Sequence, residues 1–528
     1  MRPETRWLNE KWAMPAAAAQ GVDALFQAHG EGSTACKLET APSDWGRAVS
    51  RPDGDKSSPL VLVEMEGATF LQTRWFFEAE KSIAQKLRAL HTSPAKISAQ
   101  ARLETYFPQE DPQREAAQLA LEKNLAIITG GPGTGKTYTL ARILALLVEA
   151  GVDAKNIQIA APTGKAADRM KEAIDEACKS LPTDLTEKLR TVAGTSRTIH
   201  SLLGHHPGKN SCTYHAGHRL PCEILIVDEC SMIDTLLWHA LLEALPDNAR
   251  LILLGDPNQL ESVGRGNVFS EIARSSAMAS ARVHLTESRR FADRPAIAAL
   301  ALAIEKSEVD KAVDIFSKNT APECAGGLFW SDATAPSQIL NSLPPAVLDS
   351  MRAVAFAPTP EEALKTLAKV RILTSNRIPA SGNQSLASEI QKILVKDSSV
   401  KKVLNSPIII DRNDPETGLR NGEVGIVHST GETRIVHFDK HPPVSLSKLP
   451  DHSPAWSITI HRSQGSEYEN VVVVLPRKSD SPLAMRQLLY TAITRAKKNL
   501  FVFGTAEVIK KAIENTGGRI SLLRWHLG

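Results

Sequence analysis

The stretch from Leu125 to Glu149 admits few folds. An apolar run, Leu125-Ala-Ile-Ile128, leads into Gly130-Gly-Pro-Gly-Thr-Gly-Lys-Thr137, and Tyr138 to Glu149 then reads as a helix. A glycine-rich turn of this kind points successive backbone N–H groups at one spot, and the helix that follows aims its positive end at the same spot. Lys136 adds a mobile charge there, and Thr137 offers a hydroxyl suited to Mg²⁺. Strand, loop and helix therefore describe a polyphosphate site, formed by Gly130, Gly131, Pro132, Gly133, Thr134, Gly135, Lys136, Thr137 and Tyr138.

A second segment narrows the chemistry. Ile224-Leu-Ile-Val227 has the β-branched, unbroken apolar character of a buried parallel strand and ends directly in Asp228-Glu229. A carboxylate at that strand end is placed to hold Mg²⁺, and its neighbour can polarise a water for attack on a γ-phosphate. Hydrolysis of ATP to solvent fits this pair better than transfer to a second substrate.

With 528 residues the chain exceeds a single core. Between about Pro108 and Arg282, strand candidates at 125–128, 157–160, 224–227 and 251–254 alternate with amphipathic helices, the pattern of a parallel α/β sheet. A second α/β unit starts near 285 and closes with strand candidates at 471–475 and 500–502; short β-runs at 408–410, 424–427 and 434–438 form a barrel-like insert within it. Residues 1–105 stand apart. They are rich in tryptophan, and Trp75, Ala79, Ile83 and Leu87 recur at helical spacing as a core-facing stripe. The net charge of +3 neither demands nor excludes nucleic acid. Cys36, Cys178, Cys212, Cys222, Cys230 and Cys324 lack the spacing of a disulfide framework, and neither an export signal nor an apolar run of ~20 residues is present. A cytoplasmic setting without a membrane is expected.

Parts of a nucleotide site recur in both halves. Gly255-Asp-Pro-Asn-Gln-Leu260 follows the strand at 251–254, Leu285 to Phe291 opens the second unit with Ser-Arg-Arg, and Leu489-Tyr-Thr-Ala-Ile-Thr-Arg495-Ala lies near its end. Arginines on a second domain that sense a γ-phosphate would let ATP close a cleft and hydrolysis reopen it, the cycle of a stepping motor.

In order, Ala161-Pro-Thr-Gly-Lys-Ala-Ala167, Thr198-Ile-His-Ser-Leu-Leu-Gly204, Asp228-Glu-Cys-Ser-Met232, the Gly255 segment, Ser288-Arg-Arg-Phe291, Ile460-His-Arg-Ser-Gln-Gly-Ser-Glu467 and Tyr490 to Ala496 resemble the superfamily 1 helicases. Within that superfamily the set is most similar to the RecD family, the alpha subunits of the bacterial RecBCD enzyme, exonuclease V. The resemblance spans about residues 107–505, and Leu71-Gln-Thr-Arg-Trp75 extends it weakly. It implies an α/β fold with two RecA-like parallel-sheet motor domains, a small SH3-like β insert and a mainly helical N-terminal domain. The domains would be 1–105 for partner docking, 106–284 as the first motor with a hairpin at 204–221, 285–404 and 453–528 as the second motor, and 405–452 as the insert.

Carried over by residue, Lys136 and Thr137 would bind phosphates and Mg²⁺, Asp228 the metal sphere, and Glu229 the attacking water. Gln259 would sense the γ-phosphate, Arg290 and Arg495 would act as arginine fingers, and Gln113 would read adenine. Thr163, Thr198, His200, Thr459, His461 and Gln464 fall in segments resembling strand-binding loops, whose small donors suit phosphate oxygens without reading sequence. RecB-like and RecC-like partners would supply the nuclease. A stand-alone RecD-like helicase is the alternative, and a DNA-holding scaffold is disfavoured because the catalytic set is unbroken. Cys212, His215, His218 and Cys222 offer zinc-ligand types at spacings tighter than usual; a projecting, duplex-splitting hairpin is the better reading of 204–221.

Overall fold

The computed structural model describes residues 2–12, 14–42, 44–93, 103–179, 183–206, 208–209, 211–287, 293–321, 327–376, 383–396, 405–430 and 433–528. These form two compact units: residues 1–257, 261–287 and 518–528 make the first, and 258–260 with 288–517 the second.

The first unit is built on a six-stranded parallel sheet: β1 (Leu125–Gly130), β2 (Ile157–Ala161), β3 (Arg197–Thr198), β4 (Ile224–Val227), β5 (Arg250–Gly255) and β6 (Arg282–Leu285). Their spatial order is β6-β1-β5-β4-β2-β3. Both faces are dry, which explains the unbroken apolar runs. Ala126, Ile128, Ile224, Ile226, Ile252 and Leu254 face a core shared with the helix Lys136–Glu149. The alternate residues Leu125, Ile127, Leu225, Val227, Leu251 and Leu253 face a second core that includes Trp238 and Leu241.

That second core corrects the view of residues 1–105 as a unit apart. Ile83, Ala84, Leu87 and Leu90 of the helix Arg74–Thr92 lie in it, so this helix covers one face of the six-stranded sheet. Trp75 is 70% exposed and stands off the stripe, whose buried members are Phe76, Ala79, Glu80, Ile83, Leu87 and Leu90. The region is mainly helical, as expected, but not wholly so. Beside the helices Pro3–Trp12 and Ala16–Gly30 it carries a four-stranded sheet ordered Ala35–Leu38, Ala68–Thr73, Leu60–Met65, Val49–Ser50. The central pair is an antiparallel hairpin turned by Glu66 (φ 51°) and Gly67 (φ 74°).

The second unit holds a five-stranded parallel sheet of β7 (Leu328–Ser331), β8 (Val370–Thr374), β9 (Ser457–Thr459), β10 (Tyr468–Val474) and β11 (Ala496–Phe503), ordered β7-β11-β10-β8-β9. Again the alternation serves two cores: Leu373, Val471, Val473, Leu500 and Val502 on one face, Ile372, Val472, Val474, Phe501 and Phe503 on the other. Between β8 and β9, strands Ser406–Ile410, Val424–Thr430, Thr433–Phe438, Val444–Ser445 and His452–Pro454 form an antiparallel five-stranded sheet around Ile408, Ile410, Leu419, Val436 and Phe438. On sequence alone residues 453–528 close the second motor domain; Gly518–Gly528 instead return to the first unit, where Leu523 and Leu527 join the core that contains Leu87.

Candidate nucleotide and DNA site

The phosphate loop leaves β1 at Gly130, and its backbone conformation requires glycine at two points: Gly133 has φ 81° and Gly135, which precedes the helix Lys136–Glu149, has φ 86°. Gly130 is needed for space, since a Cβ there would lie 2.9 Å from the carbonyl oxygen of Leu285 on the neighbouring β6. Thr134 Oγ1 donates to Gly131 O at 2.8 Å, and Lys136 Nζ donates to Gly130 O at 2.5 Å and Gly131 O at 3.0 Å. The lysine charge is thereby held over the loop. Gln113, on the helix Pro112–Glu122, donates through Nε2 to Thr134 O at 3.3 Å, which puts this amide at the loop itself. Tyr138 is 45% exposed with the Arg142 guanidinium 3.6 Å from its ring centroid.

Strand register brings the carboxylates to the same end of the sheet. Val227 on β4 is level with Leu253 on β5, and Leu253 with Ile127 on β1, so Asp228 and Glu229 emerge where β1 gives way to the loop. Burial, then the adjacent Glu229 charge, pushes the Asp228 carboxyl up to about 7, while Lys136 and Arg169 pull it back. Asp228 Oδ1 accepts the Glu229 N–H at 2.8 Å, and Glu229 itself sits in the left-handed region at φ 51°, ψ 42°. Two adjacent, partly exposed carboxylates with cations nearby offer oxygen ligands of the kind a divalent cation takes, and such an ion would relieve their repulsion. Arg169, on the helix Gly164–Cys178, was outside the sequence-derived set, as was His284, whose Nδ1 lies 3.0 Å from Thr129 Oγ1 on β1. Arg169 follows Thr163 closely enough to have been found.

In the second unit Gln259 and Arg495 meet directly. Arg495 Nη2 donates to Gln259 Oε1 at 2.8 Å, while its Nε and Nη1 donate to Thr491 O (3.1 Å) and Ser466 O (3.2 Å). Leu260 N donates to Thr491 Oγ1 at 2.7 Å, and Leu260 O accepts from Gln464 Nε2 at 2.8 Å. Arg290 lies outside the described residues.

The six DNA candidates divide. Thr163 and Thr198 follow or end the adjacent parallel strands β2 and β3, and each caps a helix by accepting a backbone N–H at 3.2 Å, from Ala166 and Ser201. Accepting that bond leaves each hydroxyl proton able to donate. His200 is exposed and lies edge-on to His205, 5.4 Å between ring centroids; the desolvation it does undergo lowers its pKa. Thr459 and Gln464 are buried, 8% and 6% exposed, and Gln464 serves the segment that carries Gln259, whereas His461 is half-buried in the short turn of helix His461–Ser463. Within 204–221, His205–His206 and Ser211–Cys212 pair as an antiparallel hairpin. Among the described residues no three histidine, cysteine or acidic side chains converge as a metal site, and burial raises the Cys222 thiol to about 12. No described helix is long and apolar enough to cross a membrane.

Two family models match: an AAA domain over residues 113–265 and a UvrD-like helicase C-terminal domain over 454–503. The RecBCD enzyme subunit RecD of Mycolicibacterium smegmatis is 35% identical over 426 residues, 79% of this chain and 74% of that one. The RecD subunit of Haemophilus influenzae is 32% identical over 515 residues, covering 86% and 79%. An ATP-dependent RecD2 DNA helicase of Deinococcus radiodurans is 27% identical over 471 residues, covering 86% of this chain and 58% of that one.

Proposed function

From its place in the RecD family of RecBCD helicase subunits, to which this chain belongs, we propose that it is an ATP-driven 5′-to-3′ DNA helicase subunit that acts beside RecB-like and RecC-like chains at duplex ends, in recombinational repair and DNA degradation in the cytoplasm. The observation that carries the reading is the convergence of Lys136, Asp228 and Glu229 at one end of the first parallel sheet. Lys136 bridges the terminal phosphates, and Gln113 reads adenine beside the loop. Mg²⁺, held by Thr137 and Asp228, would neutralise charge on the β- and γ-phosphates. Glu229 orients the water. Gln259 and Arg495, hydrogen-bonded as a pair, sense the γ-phosphate and stabilise its transition-state charge, with Arg290 as a second finger.

Thr163, Thr198 and His200 offer donors to phosphates of a single strand, and His461 adds another; Thr459 is buried, and Gln464 supports the segment that carries Gln259. The subunit reading is favoured over a stand-alone helicase because the two RecD subunits are more similar to this chain, 35% and 32% identical against 27% for the RecD2 helicase.

Lys136→Gln should abolish single-strand-stimulated ATP hydrolysis, whereas Glu229→Gln should bind ATP and DNA normally and fail to hydrolyse. Turnover by Lys136→Gln within a few-fold of wild type rules this site out as the motor.

A further inference from the structure

Gln259 lies in the segment 258–260 of the second unit, and the chain passes into the first unit at Glu261. The turn that follows is held by a side chain from near the end of the sequence. Arg519 Nη1 donates to Gly264 O at 2.7 Å and Gly266 O at 3.0 Å, Nη2 donates to Ser262 O at 2.8 Å, and Nε meets Glu261 Oε2 at 2.8 Å. Both charged side chains are largely buried, 17% and 15% exposed. A planar guanidinium satisfies three carbonyls and a carboxylate at once; a lysine ammonium can keep the ion pair but not the fork.

The arginine is fixed in turn. Gly32 has φ +91°, and a Cβ there would stand 2.6 Å from the guanidinium carbon. Thr34 N and Ala35 N donate to Ile520 O at 2.9 and 3.3 Å, Ile520 N donates to Ser33 Oγ at 3.0 Å, Gly266 N donates to Gly32 O at 2.8 Å, and Arg265 Nε donates to His29 O at 3.0 Å. Residues 29–35, 261–267 and 519–522 thus form one hydrogen-bonded knot inside the first unit. No group of the catalytic set belongs to it, yet one of its three strands of chain begins two residues after Gln259.

We propose that Arg519 is a positioning residue for Gln259. By fixing the carbonyls of residues 262, 264 and 266 it sets the path on which the chain leaves Leu260, and so links ATP turnover to the N-terminal loop 29–35 and to the carboxy-terminal segment. This rests on the reading of Gln259 as γ-phosphate sensor.

A double-mutant cycle in the full chain tests it, with single-strand-stimulated ATP hydrolysis as the readout. Arg519→Lys, which retains the charge opposite Glu261, is expected to lower kcat on the order of 10-fold with KM for ATP changed less than about 2-fold. In a Gln259→Ala background the same substitution should cost less than about 2-fold, because the group it positions is gone. Gly32→Ala displaces the guanidinium from its other side and should reproduce the same split, so the proposal does not hang on one variant's folding. If Arg519→Lys costs the same factor with and without Gln259, its role is packing alone and the proposal is overturned. If Gln259→Ala itself leaves kcat unchanged, the sensor reading falls and the positioning role with it, while the behaviour of Lys136→Gln still reports separately on the motor site.

Discussion

Glu229 holds a left-handed backbone conformation that costs a residue with a Cβ about 1–3 kcal/mol, and it sits beside the like charge of Asp228. Strain and repulsion at one residue oppose stability and fit the catalytic role proposed for Glu229. Glu229→Gln removes the repulsion and should let the neighbouring Asp228 carboxyl fall from about 7, raising stability by about 1 kcal/mol while kcat drops about 10²-fold or more. Denaturant unfolding alongside ATPase assays decides it; a less stable variant that still turns over would contradict both halves. His29 makes a second residue-scale prediction. It is 5% exposed, and burial lowers its pKa to about 4, with a bond to Thr34 O opposing and the Arg265 charge assisting. The folded state keeps His29 neutral, whereas the unfolded chain binds a proton near 6.5, so its contribution is nil above that pH and stability falls between pH 6.5 and 4 by about 1.4 kcal/mol per unit. His29→Leu should flatten this acid limb, and unchanged slopes in unfolding midpoints across that window would refute the assignment. Legibility at this scale follows locality. The loop from Gly130 to Thr137 and the Asp228-Glu229 pair are contiguous and could be read directly, as could Gln259 and Arg495 as candidates. Their bond to each other spans 236 residues, and Arg519 recognises backbone carbonyls, which leave no trace in sequence.

The helix Arg74–Thr92 shows how periodicity finds an element but misplaces its neighbours. Ala79, Ile83 and Leu87 are buried as their spacing predicts, yet Trp75 points to solvent, because the buried stripe enters the helix through Phe76 and Phe77. The sheet of residues 35–73 was missed because its strands are short and separated by long polar turns, although Leu60 to Thr73 around Glu66-Gly67 carries a hairpin signal. In the middle of the helix the fully buried Glu80 accepts from Thr34 Oγ1 (2.6 Å), Gln72 Nε2 (3.0 Å), Ser521 Oγ (3.0 Å) and Leu522 N (3.0 Å). Burial raises its pKa, and the four donors pull it back. One carboxylate therefore joins helix, sheet and carboxy-terminal segment. Glu80→Ala leaves those donors unmatched and should cost about 3 kcal/mol, detectable as a lower denaturation midpoint and as faster amide exchange at Leu522. Exchange at Leu522 that stays slow would show that the segment is held by other contacts.

At the scale of the whole chain, the return of residues 518–528 to the first unit and the burial of Leu87 and Leu90 against β1 and β5 mean that residues 1–105 cannot be removed as an appendage; their loss would bare one face of the motor sheet. The hairpin is different. Its paired residues 205–206 and 211–212 include exposed His206 and Ser211, but the return limb is anchored: Tyr214 stacks on His218 at 5.0 Å, Leu220 is 2% exposed, and Leu220 N donates to Ala244 O at 2.8 Å. Cutting as far as Leu220 would therefore open the core, whereas exchanging residues 206–211 for a short Gly/Ser turn spares it. If this polar, histidine-bearing tip is the wedge that converts translocation into strand separation, the exchange should preserve single-strand-stimulated ATPase and translocation while reducing unwinding of a 5′-tailed duplex about 10-fold or more. In an assembled complex the partner motor must first be inactivated, so that only this chain's unwinding is seen. Unwinding at the normal rate would move the wedge elsewhere, and a parallel loss of ATPase would make the tip structural.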